Sequence, residues 1–240
     1  MNYWLKYLRA WLILKRKSLY KYSYPEGDQY TPFAILCTSR TGSTWLHTLL
    51  NSHTSILSFG QVINHYHKKG LKPELEEMIF YKHPNPIKAV GLKIFYGDDS
   101  FQYHKYLDDV ATNKVIKIIH LVRRNTLAQY TSLKISERSW RWSMDNSADR
   151  SEKITLDQSD YKQFEIERVS IVSEISERFE SHQFLEVTYE DMMDNFESTM
   201  LEIQAFLGVK SQKLFSALKK QSEGELKDQI ENWSEFEESL

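Results

Sequence analysis

A short polar segment, Thr38–Trp45, has the residue types of an anion-binding loop. It follows an apolar stretch that is typical of a strand, and it opens a stretch with the spacing of a helix. A turn at a helix N-terminus points several free N–H groups at one place, where the helix dipole adds partial positive charge. Gly42 lets the backbone curl close to an anion and Arg40 supplies a full charge, while Ser43 and Thr44 add hydroxyl donors. The segment predicts an oxyanion cradle, although a polar turn with one glycine is also common as a turn alone.

The same loop does not match the Walker A pattern Gly-x-x-x-x-Gly-Lys-Ser/Thr. Its cation, Arg40, precedes Gly42, the first glycine of the pattern is absent, and a serine stands where that pattern has lysine. In a Walker A loop the lysine reaches the β- and γ-phosphates and the hydroxyl holds Mg²⁺. The loop therefore predicts a shorter anion site that requires no metal.

A second cationic cluster follows another predicted strand, which ends at Val122. Arg123 and Arg124 come directly after it, and Ser132 lies about two turns into the next predicted helix. An arginine fork and a serine hydroxyl together make a compact phosphate clamp. Two anion sites at one sheet edge indicate a ligand with two separated anionic groups. The alternative is a solvent-facing arginine pair at the start of a helix.

Lys93 stands near the carboxyl end of a third apolar stretch, residues 89–95. An ammonium group at such a position is costly without an anionic partner. We therefore expect Lys93 to face the same ligand as the two cationic clusters. The alternative is a lysine that extends along the sheet edge to reach solvent.

Apolar, β-rich stretches alternate with helical patterns along the chain. The predicted strands are residues 33–38, 89–95, 115–122 and 184–188, and the predicted helices are residues 44–52, 103–112, 127–136, 161–181 and 196–207. This alternation predicts an α/β fold with a mostly parallel sheet that is covered on both faces. Ligands of such sheets bind beyond the carboxyl ends of the strands. Because no repeat or linker divides the chain, we expect one domain over residues 25–240, preceded by a distinct segment over residues 1–24.

Composition and charge exclude several classes of protein. With 240 residues, 41% hydrophobic and 27% charged, the chain is typical of a globular domain. A net charge of −2 disfavours a nucleic-acid partner held by bulk electrostatics. The longest strictly apolar runs, such as residues 10–14, are far shorter than the roughly 18–20 residues that cross a bilayer. Cys37 is the only cysteine, which excludes an intrachain disulfide and favours a cytoplasmic location.

The two ends of the chain are charged in opposite senses. Residues 1–24 contain no acid, and their cations are Lys6, Arg9, Lys15, Arg16, Lys17 and Lys21. Leucine, tryptophan and tyrosine residues lie among these cations at helical spacing, which predicts a basic amphipathic helix. Such a helix packs its apolar stripe on the domain, or it lies peripherally in a membrane interface. The acidic residues from Glu223 onward predict a solvated terminal helix.

The loop Thr38-Ser-Arg-Thr-Gly-Ser-Thr-Trp45 and the segment Val122-Arg-Arg-Asn, followed by Ser132, together resemble the donor-binding motifs of the PAPS-dependent sulfotransferases. The likeness is strongest to bacterial and carbohydrate-type members. Residues 185–191 and 206–209 are also similar to that family, and the C-terminal region is similar more loosely. The resemblance spans roughly residues 33–235 and leaves the basic N-terminal segment outside it.

The resemblance implies a P-loop-like, three-layer α/β/α sulfotransferase domain. It further implies transfer of a sulfuryl group from PAPS to a hydroxyl of a carbohydrate or glycolipid, which leaves PAP. A sulfuryl group carries less negative charge than a phosphoryl group, so fixed cations and N–H dipoles suffice without a metal.

The resemblance also assigns roles to individual residues. The 5′-phosphosulfate would be held by Ser39, Arg40, Thr41, Gly42, Ser43, Thr44 and Trp45. The 3′-phosphate would be bound by Arg123, Arg124 and Ser132. Lys93 matches a lysine that stabilises the bridging or leaving oxygen, and Arg40 stands where cytosolic relatives place a lysine.

The general base has no clear counterpart in this sequence. Phe95 replaces the histidine of cytosolic relatives, and Gln61 replaces the glutamate of carbohydrate-type relatives. An amide orients a hydroxyl but does not take its proton near neutral pH. His65 shares a helical face with Gln61 and is the candidate base, unless it is a surface residue. The other accounts are a reaction that needs no strong base and a protein that binds PAPS but catalyses poorly.

Two further interpretations of function stay open at this point. A small-molecule kinase of P-loop descent is opposed by the missing lysine after Gly42, and a catalytically silent PAP- or PAPS-binding protein is favoured by Gln61. For the acceptor, Trp140 and Trp142 form a candidate sugar-stacking segment, with residues 138–160 as a lid. The alternative is that both tryptophans close the core under a long loop.

Overall fold

The computed structural model describes residues 3–60, 62–97, 103–139, 153–218 and 225–237. Gln61, Trp140 and Trp142 lie outside these ranges, as does most of the lid expected over residues 138–160. Their proposed roles therefore stay predictions.

The described secondary structure alternates between strands and helices, as expected. The strands are β1 (Glu26–Gly27), β2 (Thr31–Cys37), β3 (Ile56–Phe59), β4 (His83–Pro84), β5 (Ala89–Phe95), β6 (Lys117–Val122) and β7 (Phe184–Thr188). The helices are α1 (Tyr3–Ser23), α2 (Ser43–Asn51), α3 (Val62–Lys68), α4 (Leu75–Met78), α5 (His104–Thr112), α6 (Thr126–Ser139), α7 (Gln158–Arg178), α8 (Tyr189–Asp194), α9 (Phe196–Phe206) and α10 (Trp233–Glu237), with a 3₁₀ turn at Leu226–Gln229.

The central sheet has five parallel strands in the order β3–β5–β2–β6–β7. β1 and β4 form a separate antiparallel pair. The four strands expected from the sequence are confirmed as sheet members, and β2 lies in the middle of them. The edge strand β3 was missed, because only four residues form it and polar residues surround it.

Alternate side chains of the strands pack into two separate hydrophobic cores, one on each face of the sheet. This confirms the three-layer α/β/α architecture. Phe33, Ile35 and Cys37 of β2 pack with the apolar residues of α2 and α9. Ala34 and Leu36 pack on the other face with residues of α5 and α7. Successive side chains of a strand point to opposite faces, so one buried strand serves both helical layers.

The N-terminal segment is helical over Tyr3–Ser23, and two of the side chains that the structure describes in this helix are buried against the domain. Tyr20 is buried in the core on the α5 side of the sheet. Lys17 is also buried, and its Nζ donates to the carbonyl oxygens of Asn51 at 2.9 Å and Ile56 at 2.5 Å. The expectation that the apolar stripe packs on the domain holds for Tyr20 and fails for the leucines at positions 12, 14 and 19, each about half exposed. Among the described helices, none combines the length and apolarity needed to cross a membrane.

The acidic C-terminal region is not the solvated helix expected from its charge. Ile230 forms a parallel bridge with Ile154 and is buried. Phe236 of α10 is 2% exposed, and its ring lies 5.6 Å from that of Tyr161. These residues close a third, smaller core between α6 and α7. The expectation failed because burial of the Ile230 and Phe236 side chains favours packing of this region, while the acidic side chains around them stay in solvent.

Candidate active site

The expected anion loop joins β2 to α2 at the carboxyl edge of the sheet. Gly42 is the residue before the helix and has φ 83° and ψ 14°, which is the left-handed conformation. A Cβ at this position would lie 2.7 Å from the ring of Tyr189, so both the backbone angle and the space require glycine. Arg40 also has a positive φ, 66°. Non-glycine residues adopt this conformation at a cost, and such residues cluster at functional sites.

Hydrogen bonds from two directions hold this loop. The Thr41 hydroxyl donates to the carbonyl oxygen of Thr38 at 3.0 Å. From α6, the Gln129 amide nitrogen donates to the Thr38 hydroxyl at 3.0 Å and to the Ser39 carbonyl oxygen at 2.5 Å. The sequence reasoning missed Gln129, whose only signal was an amide on a helix face that also carries buried apolar residues. The loop is therefore shaped before any ligand binds.

Two arginines and Ser132 meet above this loop. The Nε of Arg40 donates to the Ser132 hydroxyl at 2.9 Å, and the Nη1 of Arg123 donates to the Arg40 carbonyl oxygen at 3.1 Å. The Arg123 guanidinium also lies 4.5 Å from the centre of the Tyr189 ring. Burial, and then the charge of Arg123, lowers the pKa of Arg40 to about 10. The Arg40 guanidinium is therefore charged at neutral pH and lies close to that of Arg123, which favours an anionic ligand.

Arg124 does not form the direct clamp with Ser132 that the sequence predicted. Its Nη2 donates to Asp191 Oδ1 at 2.5 Å and to the Thr188 hydroxyl at 2.8 Å. Arg124 is largely exposed, while Ser132 is bound to Arg40. The structure thus brings both predicted clusters to one sheet edge, but it pairs Ser132 with the first cluster rather than with Arg124.

Lys93 is 2% exposed and lies at the same edge, on β5. Its Nζ is 3.4 Å from the Thr44 hydroxyl at the start of α2, and 4.8 Å from the centre of the Phe95 ring. Within the described ranges no carboxylate forms an ion pair with this ammonium group. Burial lowers the pKa of Lys93. A buried ammonium group beside a helix N-terminus is an arrangement that a bound anion stabilises.

Some of the remaining loop residues are buried by packing, and others are exposed to solvent. Ser43 is buried, whereas Thr44 is exposed beside Lys93. Trp45 packs against the rings of Tyr189 and Phe196, with ring centres 6.2 and 5.9 Å apart. Packing therefore accounts for the contacts that Trp45 makes.

His47 is a histidine near this site that the sequence reasoning did not select. It lies one turn after Thr44 on α2, and its Nδ1 is hydrogen-bonded to the Ser58 hydroxyl at 2.9 Å. Its Nε2 faces Gly60, where a Cβ would approach to 3.1 Å. Burial, followed by the charge of Lys93, lowers the pKa of His47 to about 4, so the ring is neutral at pH 7.

His65, the histidine that the sequence favoured, is exposed on α3. Its ring makes an edge contact with Tyr66 at 5.8 Å. In the described part of the chain no hydrogen bond or ring contact links His65 to Lys93 or to the anion loop. The structure therefore leaves the role of His65 as a prediction without a supporting contact.

Comparisons with known proteins identify the family of this chain. The family model for the sulfotransferase domain matches residues 31–238. Nodulation protein H of Rhizobium tropici is 28% identical over 194 residues, which cover 74% of this chain and 75% of that protein. Nodulation protein H of Rhizobium meliloti (strain 1021) is 32% identical over 124 residues, which cover 46% and 49%.

A crystal structure of mouse sulfotransferase SULT7A1 complexed with PAP aligns with 82% of this chain and 65% of its own, at 16% identity and a TM-score of 0.43. That likeness is too distant to bear on individual residues. The range that the family model matches includes the anion loop, Lys93 and both arginine positions. By this match the chain belongs to the sulfotransferase family and is a sulfotransferase.

Proposed function

We propose that this sulfotransferase takes the sulfuryl group of PAPS and transfers it to a hydroxyl of a carbohydrate or glycolipid. In this reaction the bond between sulfur and the bridging phosphate oxygen breaks, and PAP leaves with that electron pair. A new bond forms between sulfur and the acceptor oxygen, whose proton is released. The observation that carries the proposal is Lys93, buried beside Thr44 without a carboxylate partner among the described residues.

The anion loop would hold the 5′-phosphosulfate. The N–H groups at the start of α2 face this position, and Arg40 and Thr44 add a guanidinium and a hydroxyl. Lys93 would neutralise charge on the bridging oxygen as the bond to sulfur breaks. Fixed charges of this kind stabilise a transition state because they need no reorganisation during the reaction.

The 3′-phosphate would bind between Arg124 and Ser132, with Arg123 close by. The Nε of Arg123 is buried and makes no hydrogen bond within the described ranges, so a phosphate oxygen would satisfy it. Arg124 would exchange or share its contact with Asp191 when the phosphate binds. This is a charge-assisted clamp of the kind that arginine forms well.

A carbohydrate acceptor is supported by the aromatic ring beside Lys93. Phe95 is partly buried at the carboxyl end of β5, and the centre of its ring lies 4.8 Å from the Lys93 Nζ. Apolar sugar faces pack on such rings while their hydroxyls stay free to react. The relatives of this chain are named nodulation proteins, and that name does not specify their acceptor.

Calorimetry with PAP, followed by transfer of labelled sulfate from PAPS to a panel of glycans and of hydroxyl compounds that contain no sugar, tests the proposal. We expect the wild-type protein to bind PAP and Arg124→Ala to bind it about tenfold more weakly or worse, because a charged hydrogen bond is lost. Arg138→Ala is the matched control, since Arg138 is an exposed arginine in the last turn of α6, the helix that follows Arg124.

Each other outcome contradicts a defined part of the proposal. Absence of PAP binding would exclude PAPS as the donor. PAP binding without transfer to any glycan or other hydroxyl would indicate a silent nucleotide-binding protein, and transfer only to other hydroxyls would exclude the carbohydrate acceptor. Turnover of Mg-ATP would support the kinase alternative.

A further inference from the structure

Helix α1 has an inward face that two buried residues define. Lys17 and Tyr20 are each 7% exposed, and the Lys17 ammonium group is bonded to two backbone carbonyls of the domain. These contacts set the rotation of the helix about its own axis. The side chains opposite Lys17 must therefore point away from the domain.

This outward face of α1 is apolar. At about 100° per residue, four of the exposed apolar side chains that the structure describes lie within roughly 60° of the direction opposite Lys17. They are Trp11 at 48% exposed, Leu12 at 52%, Leu19 at 58% and Tyr22 at 77%. A helix that served only to cover the domain would carry its apolar residues on the opposite side.

Cations lie among and beside these apolar side chains. Lys15 projects within the apolar face, with its Nζ 5.5 Å from the centre of the Trp11 ring, and Lys21 lies 4.9 Å from the ring of Tyr22. Arg16 is exposed at the border of the face. Residues 1–24 contain no acid that would neutralise these charges.

We propose that the outward face of α1, formed by Trp11, Leu12, Leu19 and Tyr22 with the cations at positions 15, 16 and 21, binds the surface of an anionic lipid bilayer. The helix would lie in the plane of the interface, because apolar side chains with interspersed cations suit that depth. Anionic lipid complements the charge of the face. A second copy of the chain would instead bring like charges together in a symmetric contact.

The proposed lipid contact and the active site are anchored at different edges of the sheet. Lys17 is bonded to Ile56, the first residue of β3, which marks the amino edge. Lys93 and Thr44 lie at the carboxyl edge, where the parallel strands end. Lipid binding therefore leaves the donor site open, and the two proposals succeed or fail independently.

Flotation of the full-length protein with vesicles tests the inference. We expect binding to vesicles that contain phosphatidylserine and much weaker binding to pure phosphatidylcholine. The variant W11S/L12S/L19S should lose binding, and K15Q/R16Q/K21Q should bind at least about tenfold more weakly, since each cation near an anionic surface contributes about fivefold. The control V115S/I166S/V169S removes exposed apolar side chains elsewhere and should bind like the wild type.

Three outcomes would overturn the inference. The first is a wild-type protein that does not float with anionic vesicles, and the second is equal binding by W11S/L12S/L19S. The third is a dimer in sedimentation equilibrium that the same substitutions abolish, because the face would then bind a second copy. Far-ultraviolet circular dichroism of each variant reports whether the domain is still folded.

Discussion

The side chain of Lys93 is 2% exposed, and its Nζ lies 3.4 Å from the Thr44 hydroxyl and 4.8 Å from the centre of the Phe95 ring. A buried charge without an opposite charge lowers the stability of a protein. A position of this kind is tolerated when the charge acts on a ligand, and strained or costly groups cluster at such sites. Removal of the Lys93 charge should therefore lower turnover without lowering the free energy of unfolding.

We expect Lys93→Met to lower turnover by about 100-fold or more, because a preorganised charge at the leaving oxygen is removed. PAP affinity should change much less, since the arginines remain. The free energy of unfolding should stay equal or rise, because the buried charge is replaced by an apolar chain of similar size. Steady-state kinetics, PAP calorimetry and urea unfolding measure the three quantities.

Lys88→Met is the control for this prediction, since Lys88 is exposed just before β5. It should leave turnover unchanged. Normal turnover in Lys93→Met would remove Lys93 from the mechanism, and a loss of stability would show that its ammonium group has a structural partner instead.

His47 and His65 differ in their position relative to Lys93 and the anion loop. His47 lies one turn from Thr44 and is influenced by the charge of Lys93, whereas His65 is exposed on α3. We expect His47→Gln to lower turnover about tenfold or more and His65→Gln to keep full turnover between pH 6 and 8. Kinetics of both variants over this range check the prediction, and the reverse pattern would restore His65 as the base.

At the scale of the elements, the C-terminal region completes a third core beside α7. Phe236 contacts Tyr161, and Ile230 pairs with Ile154, which follows a segment outside the described ranges. The last described helix thereby ties the chain end to α6 and α7. Its role is to bury apolar surface, in spite of its acidic composition.

Phe236→Ala should lower the free energy of unfolding by about 3 kcal/mol, the lower end for loss of a buried phenylalanine, since this core is small. Urea unfolding monitored by circular dichroism measures the change. Leu201→Ala is the control, because Leu201 is 52% exposed on α9 and should cost less than about 0.5 kcal/mol. Equal effects of the two substitutions would show that Phe236 is not buried in solution.

At the scale of the whole molecule, the sheet buries titratable groups that make stability depend on pH. His120 of β6 is fully buried, its Nε2 is hydrogen-bonded to the Tyr96 hydroxyl at 2.6 Å, and its Nδ1 lies 3.5 Å from the half-exposed carboxylate of Glu186. Burial lowers the pKa of His120 from 6.5 to about 4. The unfolded chain therefore binds a proton between pH 6.5 and 4 that the folded chain does not.

The free energy of unfolding should therefore fall as the pH drops from 6.5 to 4. Proton uptake by His120 in the unfolded chain accounts for about 3 kcal/mol of this loss. His47, whose pKa is lowered in the same direction, adds to this loss. In His120→Gln the difference in unfolding free energy between pH 6.5 and 4.5 should shrink, while His104→Gln, an exposed control, should keep the wild-type difference. An unchanged difference in His120→Gln would show that His120 is protonated in the folded protein.

Local patterns in the chain were enough to predict the fold class and much of the site. Buried strands on both faces of a parallel sheet leave continuous apolar stretches, and this is why β2, β5, β6 and β7 were recognisable. The anion loop was recognisable because Gly42 and its polar neighbours occupy consecutive positions. The short edge strand β3 and the buried C-terminal residues carry no such local pattern, so they were missed or misassigned.

The sequence by itself determined the parallel α/β architecture, the anion loop and the sulfotransferase motifs, because each depends on residues that are close along the chain. Only the tertiary structure decided which side chains meet. Arg40 reaches Ser132 across 92 residues, and Lys93 reaches Thr44 across 49. Arg124 pairs with Asp191, and the apolar face of α1 points outward. Such pairings depend on strand order, register and the docking of helices, which the local spacing of residues does not encode.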